Sequence, residues 1–148
     1  MEFDGIYTPI VTPHAPDGAI DHATFAAVAD RLIAAGVHGI IVAGTTGEYY
    51  AQTMEERVDL MRRAVDVVAG RVPVVVGTGA MRTEDAVALG LAAREAGADA
   101  ILIGTPPYAV PTGRENALHA LAIDLDAGFV VTLERGELAL EIDDEDLA

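Results

Sequence analysis

The sequence predicts an α/β protein in which a parallel sheet is covered by helices. Continuous runs rich in Val and Ile alternate with segments whose apolar residues recur at helical spacing. Strands that are apolar on both faces are typical of a parallel sheet buried under helices. An internal repeat supports this architecture, because "AAGVHGIIVAGTT" (34–46) aligns with "EAGADAILIGTPP" (95–107), 61 residues later. A repeat of two strand–helix units is expected of a chain that builds a barrel in quarters.

The first β/α unit begins with the apolar run Ile6–Val11, which ends at Thr12-Pro13. Asp21 is placed to cap the helix that follows, and Gly36 ends that helix. The inward residues of this helix are expected at helical spacing: Phe25, Val28, Ala29, Leu32 and Ile33.

The second unit begins with the continuous apolar strand Gly39–Val42. The segment Thr53–Glu56 has the pattern of a capping box, in which a Thr hydroxyl and a Glu carboxylate each accept a hydrogen bond from a free backbone N–H. The helix that it opens ends at Gly70, and its predicted inward residues are Val58, Met61, Val65 and Val68.

The third strand is predicted at Pro73–Val76, and Thr83 is predicted to cap the third helix, which ends at Gly97. Ala100–Ile103 is the fourth strand. A second capping box, Thr112–Glu115, opens a fourth helix that runs to about Ile123. The chain to residue 123 therefore contains four consecutive β/α units.

Residues 124–148 differ in composition from the rest. Residues 1–123 hold 8 Arg and 15 Asp or Glu, whereas residues 124–148 hold 1 Arg and 9 Asp or Glu. Segments 129–134 and 137–142 alternate apolar and polar residues around Arg135-Gly136, which predicts an antiparallel hairpin with a two-residue turn. We expect an acidic, divergent tail with no fifth parallel strand.

Composition excludes several function classes. A formal net charge of −15 disfavours binding to nucleic acid or to an anionic membrane. The chain has no cysteine, no apolar run of the length of a membrane span and no pattern typical of a signal peptide, so a cytoplasmic protein is expected. All nine basic residues are arginine, and the absence of lysine excludes a Walker phosphate loop. No dinucleotide cofactor is expected, because Gly77-Thr78-Gly79 lacks the third glycine of the fingerprint. No metal is expected, because the chain has no cysteine and its histidines lack metal-ligand spacing.

Candidate site residues follow the predicted strands, where β/α proteins place their chemistry. The turn Gly44-Thr45-Thr46-Gly47 can offer backbone N–H groups and two hydroxyls to a carboxylate or an oxyanion. A tight turn whose threonines bond to its own backbone is an equally good interpretation. Glu48 is expected to accept hydrogen bonds from the loop rather than to act as a base.

Aromatic and histidine candidates are weaker. Tyr108, in the loop after the fourth strand, is either a proton relay or a packing residue, and its position favours packing. The other tyrosines are expected to pack or to line a pocket: Tyr7, Tyr49 and Tyr50. The histidines lack metal-ligand spacing and are interpreted as ordinary surface residues: His14, His22, His38 and His119.

Four motifs occur in the order and at the spacing of a known family. "GIYTPIVTP", "GTTGE", "VPVVVGTGA" and "TPPYAVPT" together resemble the dihydrodipicolinate synthase / N-acetylneuraminate lyase family over residues 3–123. The resemblance implies the first half of a TIM (β/α)8 barrel.

The resemblance also implies a class I aldolase mechanism on pyruvate or another 2-oxo acid. In this mechanism a lysine amine attacks the keto carbon to form an imine, which then acts as an electron sink. By motif, Gly44, Thr45 and Thr46 bind the substrate carboxylate, and Thr45 also joins a proton relay. Tyr108 corresponds to the family's loop tyrosine, which reaches the site of a neighbouring subunit, so a homo-oligomer is implied.

The sequence departs from the family after Ile123. It lacks the Leu-Tyr-Asn-x-Pro stretch of the fifth strand and the imine-forming lysine of the sixth. A frameshift near Asp124 or a chimera would explain this difference. Three functions follow: a half-barrel completed by a lysine-bearing chain, a non-catalytic half-barrel that binds a 2-oxo acid or self-associates, and an inactive remnant.

Overall fold

The computed structural model describes residues 4–107, 110–127 and 131–133. Helices and strands alternate along the chain, with two short 3-10 helices after the second strand. In order they are β1 (Tyr7–Pro9), α1 (His22–Ala34), β2 (Gly39–Val42), the 3-10 helices Thr45–Gly47 and Tyr49–Ala51, α2 (Met54–Val68), β3 (Val74–Gly77), α3 (Thr83–Ala96), β4 (Ala100–Ile103), α4 (Gly113–Ala127) and β5 (Val131–Leu133). The four predicted β/α units are confirmed.

The strands form one parallel sheet in the order β1-β2-β3-β4-β5. Tyr7 pairs with Gly39, Ile40 with Val74, and Val75 with Ala100. Because each strand lies beside the next strand in the chain and runs in the same direction, the carboxyl ends of all strands meet at one edge. The loops that carry the candidate residues open at this edge.

The core lies between the sheet and the helices. Alternate strand residues are fully buried on this side, and they pack against apolar residues of the four helices. The largest of them are Ile40, Val42, Val76, Ile101 and Ile103 from strands, with Phe25, Leu60, Met61, Leu89 and Ile123 from helices. Intervening residues point to the other face of the sheet. On that face Ile41 and Leu102 are only half-buried, so it is partly open.

Local capping signals set three of the helix starts as predicted. Asp21 accepts hydrogen bonds from the N–H groups of Ala23 and Thr24 at 3.1 and 3.0 Å. Both halves of the Thr53–Glu56 box form, at 3.2 and 2.8 Å. The Thr112–Glu115 box also forms, with distances of 2.8 and 3.3 Å.

The predicted start of α3 is wrong. Arg82 occupies the N-cap position without a side-chain cap, and Thr83 is the first helical residue. The Thr83 hydroxyl instead lies 2.9 Å from Nδ1 of His119, on α4. A partner from another helix has thus replaced the local capping bond.

The inward face of α2 is rotated relative to the prediction. Its buried residues are Arg57, Leu60, Met61, Ala64 and Val68, whereas Val58 and Val65 are only partly buried. A charged residue therefore occupies one inward position, and this position adjoins the candidate site.

The prediction for the tail is wrong in its first segment. Val131–Leu133 pairs in parallel with β4, so it is a fifth parallel strand and not one arm of an antiparallel hairpin. The helix before it continues to Ala127, beyond the predicted end at Ile123. The second arm, 137–142, lies outside the described residues. Among those that are described, no helix has both the length and the apolar character of a membrane span.

Candidate functional site

A cleft of about 590 Å³ opens at the carboxyl edge of the sheet. It lies where the loops after β2, β3 and β4 meet the first turns of α4. Its lining residues are Ala43, Gly44, Thr45, Tyr49, Gly77, Gly79, Leu102, Ile103, Gly104, Thr105, Asn116, His119 and Ala120. The cleft therefore joins the predicted threonine turn to residues that the sequence did not single out.

The turn after β2 is held from two sides. Its own bonds run from the N–H of Gly47 to the carbonyl of Gly44 and from the N–H of Glu48 to the carbonyl of Thr45, both at 3.0 Å. The Gly47 carbonyl then accepts hydrogen bonds from Thr12 Oγ1 and Gln52 Nε2, both at 2.8 Å. These contacts fix the turn before any ligand arrives, which favours binding because little ordering remains.

Backbone strain marks both ends of the turn. Ala43 and Glu48 have φ angles of 54° and 55°, in the left-handed region that non-glycine residues rarely adopt. Each such residue costs about 1–2 kcal/mol, and such costs cluster at ligand clamps and active sites. Between these two residues lie Gly44 and Thr45, which line the cleft.

The threonine hydroxyls are available to a ligand. Thr45 and Thr46 are exposed, and neither side chain forms a hydrogen bond with another described residue. The interpretation in which these hydroxyls bond to their own backbone is therefore not what the structure shows. Glu48 is also exposed, and its carboxylate does not accept the predicted bonds from loop N–H groups of the described chain.

The end of β3 packs closely on the start of the threonine turn. A Cβ at Gly77 would overlap the carbonyl oxygen of Ala43, so only glycine fits at this position. Thr78 is fully buried, and its N–H donates to the carbonyl of Leu102 at 3.0 Å. The ends of β2, β3 and β4 are therefore held in one rigid edge.

Arg57 lies behind the wall of the cleft. Its Nη1 and Nη2 donate to the carbonyls of Gly79 and Gly77, both at 2.9 Å. Its guanidinium carbon is 5.0 Å from the centre of the Tyr49 ring, a cation–π distance. Burial lowers the pKa of Arg57 to about 10, so the group remains protonated at neutral pH.

A histidine closes the other end of the cleft. His119 is only 6% exposed, so its interpretation as a surface residue is wrong. Burial lowers its pKa from the ordinary 6.5, and the backbone carbonyl of Gly104 acts in the opposite direction. Its buried Nε2 and the buried Oδ1 of Asn116 form no hydrogen bond of good geometry within the described residues.

The remaining candidates are dispersed. His14 and His38 are exposed, and His22 Nε2 lies 3.1 Å from Asp59 Oδ2. Tyr49 lines the cleft as expected, whereas Tyr50 is 68% exposed. In the part of the chain that the structure describes, no group of three His, Asp or Glu residues could hold a metal ion.

The structure thus brings Gly44 and Thr45 together in the cleft, with Thr46 exposed in the same turn. Tyr108 lies outside the described residues. Arg57 and His119 were missed by sequence reasoning. One signal was present for Arg57, because it precedes Leu60, Met61 and Ala64 at the spacing of the buried helix face. His119 offered no comparable signal, since its partner Thr83 is 36 residues away.

Comparison with known proteins agrees with the observed fold. The family model described as "Dihydrodipicolinate synthetase family" matches residues 2–128. A 4-hydroxy-tetrahydrodipicolinate synthase from Xanthomonas axonopodis pv. citri is 40% identical over 133 residues, which is 90% of this chain and 44% of that protein. The chain spans less than half the length of this curated relative.

Two similar solved structures are described as complexes with pyruvate. One is YagE from E. coli K12, a prophage protein of the dihydrodipicolinic acid synthase family. It matches with a TM-score of 0.86 and 34% identity over 88% of this chain and 44% of its own. The other, a chloride-inhibited dihydrodipicolinate synthase from Acinetobacter baumannii, has a TM-score of 0.84 and 35% identity over 87% and 44% of the two chains. The sheet and its helices therefore correspond to the first half of a TIM barrel.

Proposed function

The chain belongs to the dihydrodipicolinate synthetase family, and from this membership we propose that it binds the carboxylate of a 2-oxo acid such as pyruvate. One observation carries the proposal. The turn at Gly44–Gly47 is flanked by the strained residues Ala43 and Glu48 and is locked by Thr12 and Gln52. It presents the hydroxyl of Thr45 in the cleft, with the hydroxyl of Thr46 exposed in the same turn.

In this proposal Gly44, Thr45 and Thr46 hold the carboxylate, and Thr45 also passes a proton to and from the substrate. The absence of a side chain at Gly44 allows a small anion to approach the backbone. Tyr108 is proposed to complete the relay in a neighbouring subunit. The two relatives whose structures are described as pyruvate complexes support pyruvate as the probe for this site.

The family chemistry also needs an amine. A lysine amine adds to the keto carbon, water leaves, and the resulting imine accepts the electron pair of the carbon–carbon bond that breaks. This chain contains no lysine. We therefore propose that it is inactive as a lyase alone or as a homo-oligomer, and that turnover requires a second chain that supplies the lysine. Such a complex would work in the cytoplasm.

A second candidate is a non-catalytic half-barrel that associates with another copy of itself. The observation in its favour is the partly open face of the sheet, where Ile41 and Leu102 are half-buried. Burying that apolar surface against a partner would stabilise the pair. Sedimentation distinguishes this candidate, because a monomer at all accessible concentrations contradicts it.

Pyruvate binding to the purified chain is the test of the main proposal. Thr45→Val removes the hydroxyl at nearly constant volume, and Thr45→Ser is the matched control that keeps it. We expect Thr45→Val to weaken binding about tenfold, the effect of losing one hydrogen bond to a charged group, and Thr45→Ser to stay within about threefold of the unchanged chain. Equal affinities of all three proteins, or no binding by any, would contradict the proposal.

A further inference from the structure

Arg57 is a buried guanidinium whose partners belong to the cleft. It is 4% exposed and lies in the first turn of α2. Its three contacts, Tyr49, Gly77 and Gly79, all line the cleft. The cation is thus separated from the cleft only by the Tyr49 ring and the backbone of Gly77 and Gly79.

The charge of Arg57 is not neutralised by a neighbouring carboxylate. Within residues 4–107, 110–127 and 131–133 it forms no ion pair. The carboxylate of the preceding residue, Glu56, instead accepts a hydrogen bond from the N–H of Thr53 in the capping box. Nε of Arg57 is also buried without a hydrogen-bond partner among these residues.

An unpaired buried charge is costly, because water no longer solvates it and no counter-ion replaces that water. Two carbonyls and one ring offset only part of this cost. An anion in the cleft would offset more of it, since opposite charges attract strongly where protein replaces water. The site therefore has an electrostatic reason to prefer anionic ligands in a chain whose formal net charge is −15.

We propose that Arg57 is a positioning residue that selects the anionic form of the ligand. Its hydrogen bonds to the carbonyls of Gly77 and Gly79 hold the guanidinium against the cleft, and its charge stabilises a carboxylate bound at the turn of Gly44 and Thr45. This inference rests on the proposed function, and it identifies Arg57 as the group that makes the site prefer negatively charged ligands.

Two probes separate charge from shape. Pyruvate carries a carboxylate, whereas pyruvamide has a neutral amide of nearly the same size in its place. A role through charge affects pyruvate alone, while a role through loop geometry affects both ligands. The matched control for loss of one positive charge is Arg63→Gln, because Arg63 lies on the same helix and is exposed.

The experiment measures the dissociation constants of both ligands for the unchanged chain, Arg57→Gln and Arg63→Gln. We expect Arg57→Gln to weaken pyruvate binding about tenfold, with pyruvamide changed by less than about twofold and Arg63→Gln without effect on either. An equal loss for both ligands, or no loss for pyruvate, overturns the role of the charge. Failure of the unchanged chain to bind pyruvate is a separate result, which overturns the proposed function together with this inference.

If Arg57→Gln does not fold, pyruvate binding is measured with Arg57→Lys instead. Lysine keeps the charge but cannot span both carbonyls. We expect this variant to bind pyruvate within about threefold of the unchanged chain. A tenfold loss would show that the two hydrogen bonds, and not the charge, determine binding.

Discussion

The hydroxyl of Thr12 donates a 2.8 Å hydrogen bond to the carbonyl of Gly47, although 35 positions separate the two residues. The bond joins the loop after β1 to the threonine turn after β2. Gln52 Nε2 donates to the same carbonyl at 2.8 Å. One buried oxygen thus has two side-chain donors, and this arrangement gives a test of how the turn is held.

We expect Thr12→Val and Gln52→Leu to be non-additive. Each single change leaves the Gly47 carbonyl with one donor and should cost about 0.5–1.5 kcal/mol, whereas the double variant leaves a buried acceptor unpaired and should cost about 1–3 kcal/mol more than the sum. Gln52→Leu should be the milder single change, because it also removes the buried, unpaired Oε1 of Gln52. Urea unfolding measures all four free energies, and an additive double variant contradicts the prediction.

Gly77→Ala should be strongly destabilising. The new Cβ would overlap the carbonyl oxygen of Ala43, which is backbone and cannot rotate away. We expect a loss of about 1–3 kcal/mol or more in the free energy of unfolding. Gly104→Ala is the control, since nothing lies within 4 Å of a Cβ at that position. Comparable losses at the two glycines would show that Gly77 is not tightly packed against the backbone of Ala43.

Stability should fall as the pH decreases through 6.5 because of His119. Its folded-state pKa lies below the ordinary 6.5, since burial disfavours the imidazolium. The unfolded chain therefore takes up the proton first, and stability is lost from pH 6.5 down to the folded pKa, below which this contribution is constant. His119→Gln should reduce this dependence. His14→Gln, at an exposed histidine, should leave it intact, and thermal melts at pH 7.5 and 5.5 compare the variants.

The carboxyl of Glu115 should titrate below its ordinary value. The N–H of Thr112, and secondly its hydroxyl, lower the pKa from 4.5. The stabilisation is present above pH 4.5 and is lost as the pH falls through the folded-state pKa. Thr112→Ala removes only the hydroxyl, so the pKa should rise part of the way. Carbon-detected NMR titration measures it, and an unchanged pKa in Thr112→Ala contradicts a role for the hydroxyl.

Local signals predicted most of the fold. The ranges of β2 and β4 match the apolar runs Gly39–Val42 and Ala100–Ile103, and both capping boxes form. These features depend on residues a few positions apart, so the sequence displays them directly. The turn at Gly44–Thr46 was predicted for the same reason, since its position after a buried strand fixes its place in a parallel sheet.

Long-range contacts account for the misses. Thr83 was predicted as a cap, yet its hydroxyl is engaged with His119. Alternating polarity in Val131–Leu133 indicated a strand, but the pattern does not specify direction, and the strand is parallel to β4. The spacing of Arg57 from Leu60 and Ala64 matched the buried face of α2, but its partners are backbone carbonyls, which the spacing does not identify.

The strand order β1-β2-β3-β4-β5 has a consequence for how the molecule acquires its structure. In the part of the chain that the structure describes, each strand from β1 to β4 pairs with the next strand along the chain. Each unit can dock as soon as the one before it is formed, so each pairing closes only the loop of one β/α unit and its entropy cost is limited to that loop. During translation the N-terminal unit leaves the ribosome first, so the β/α units emerge in the order in which they pair in the sheet.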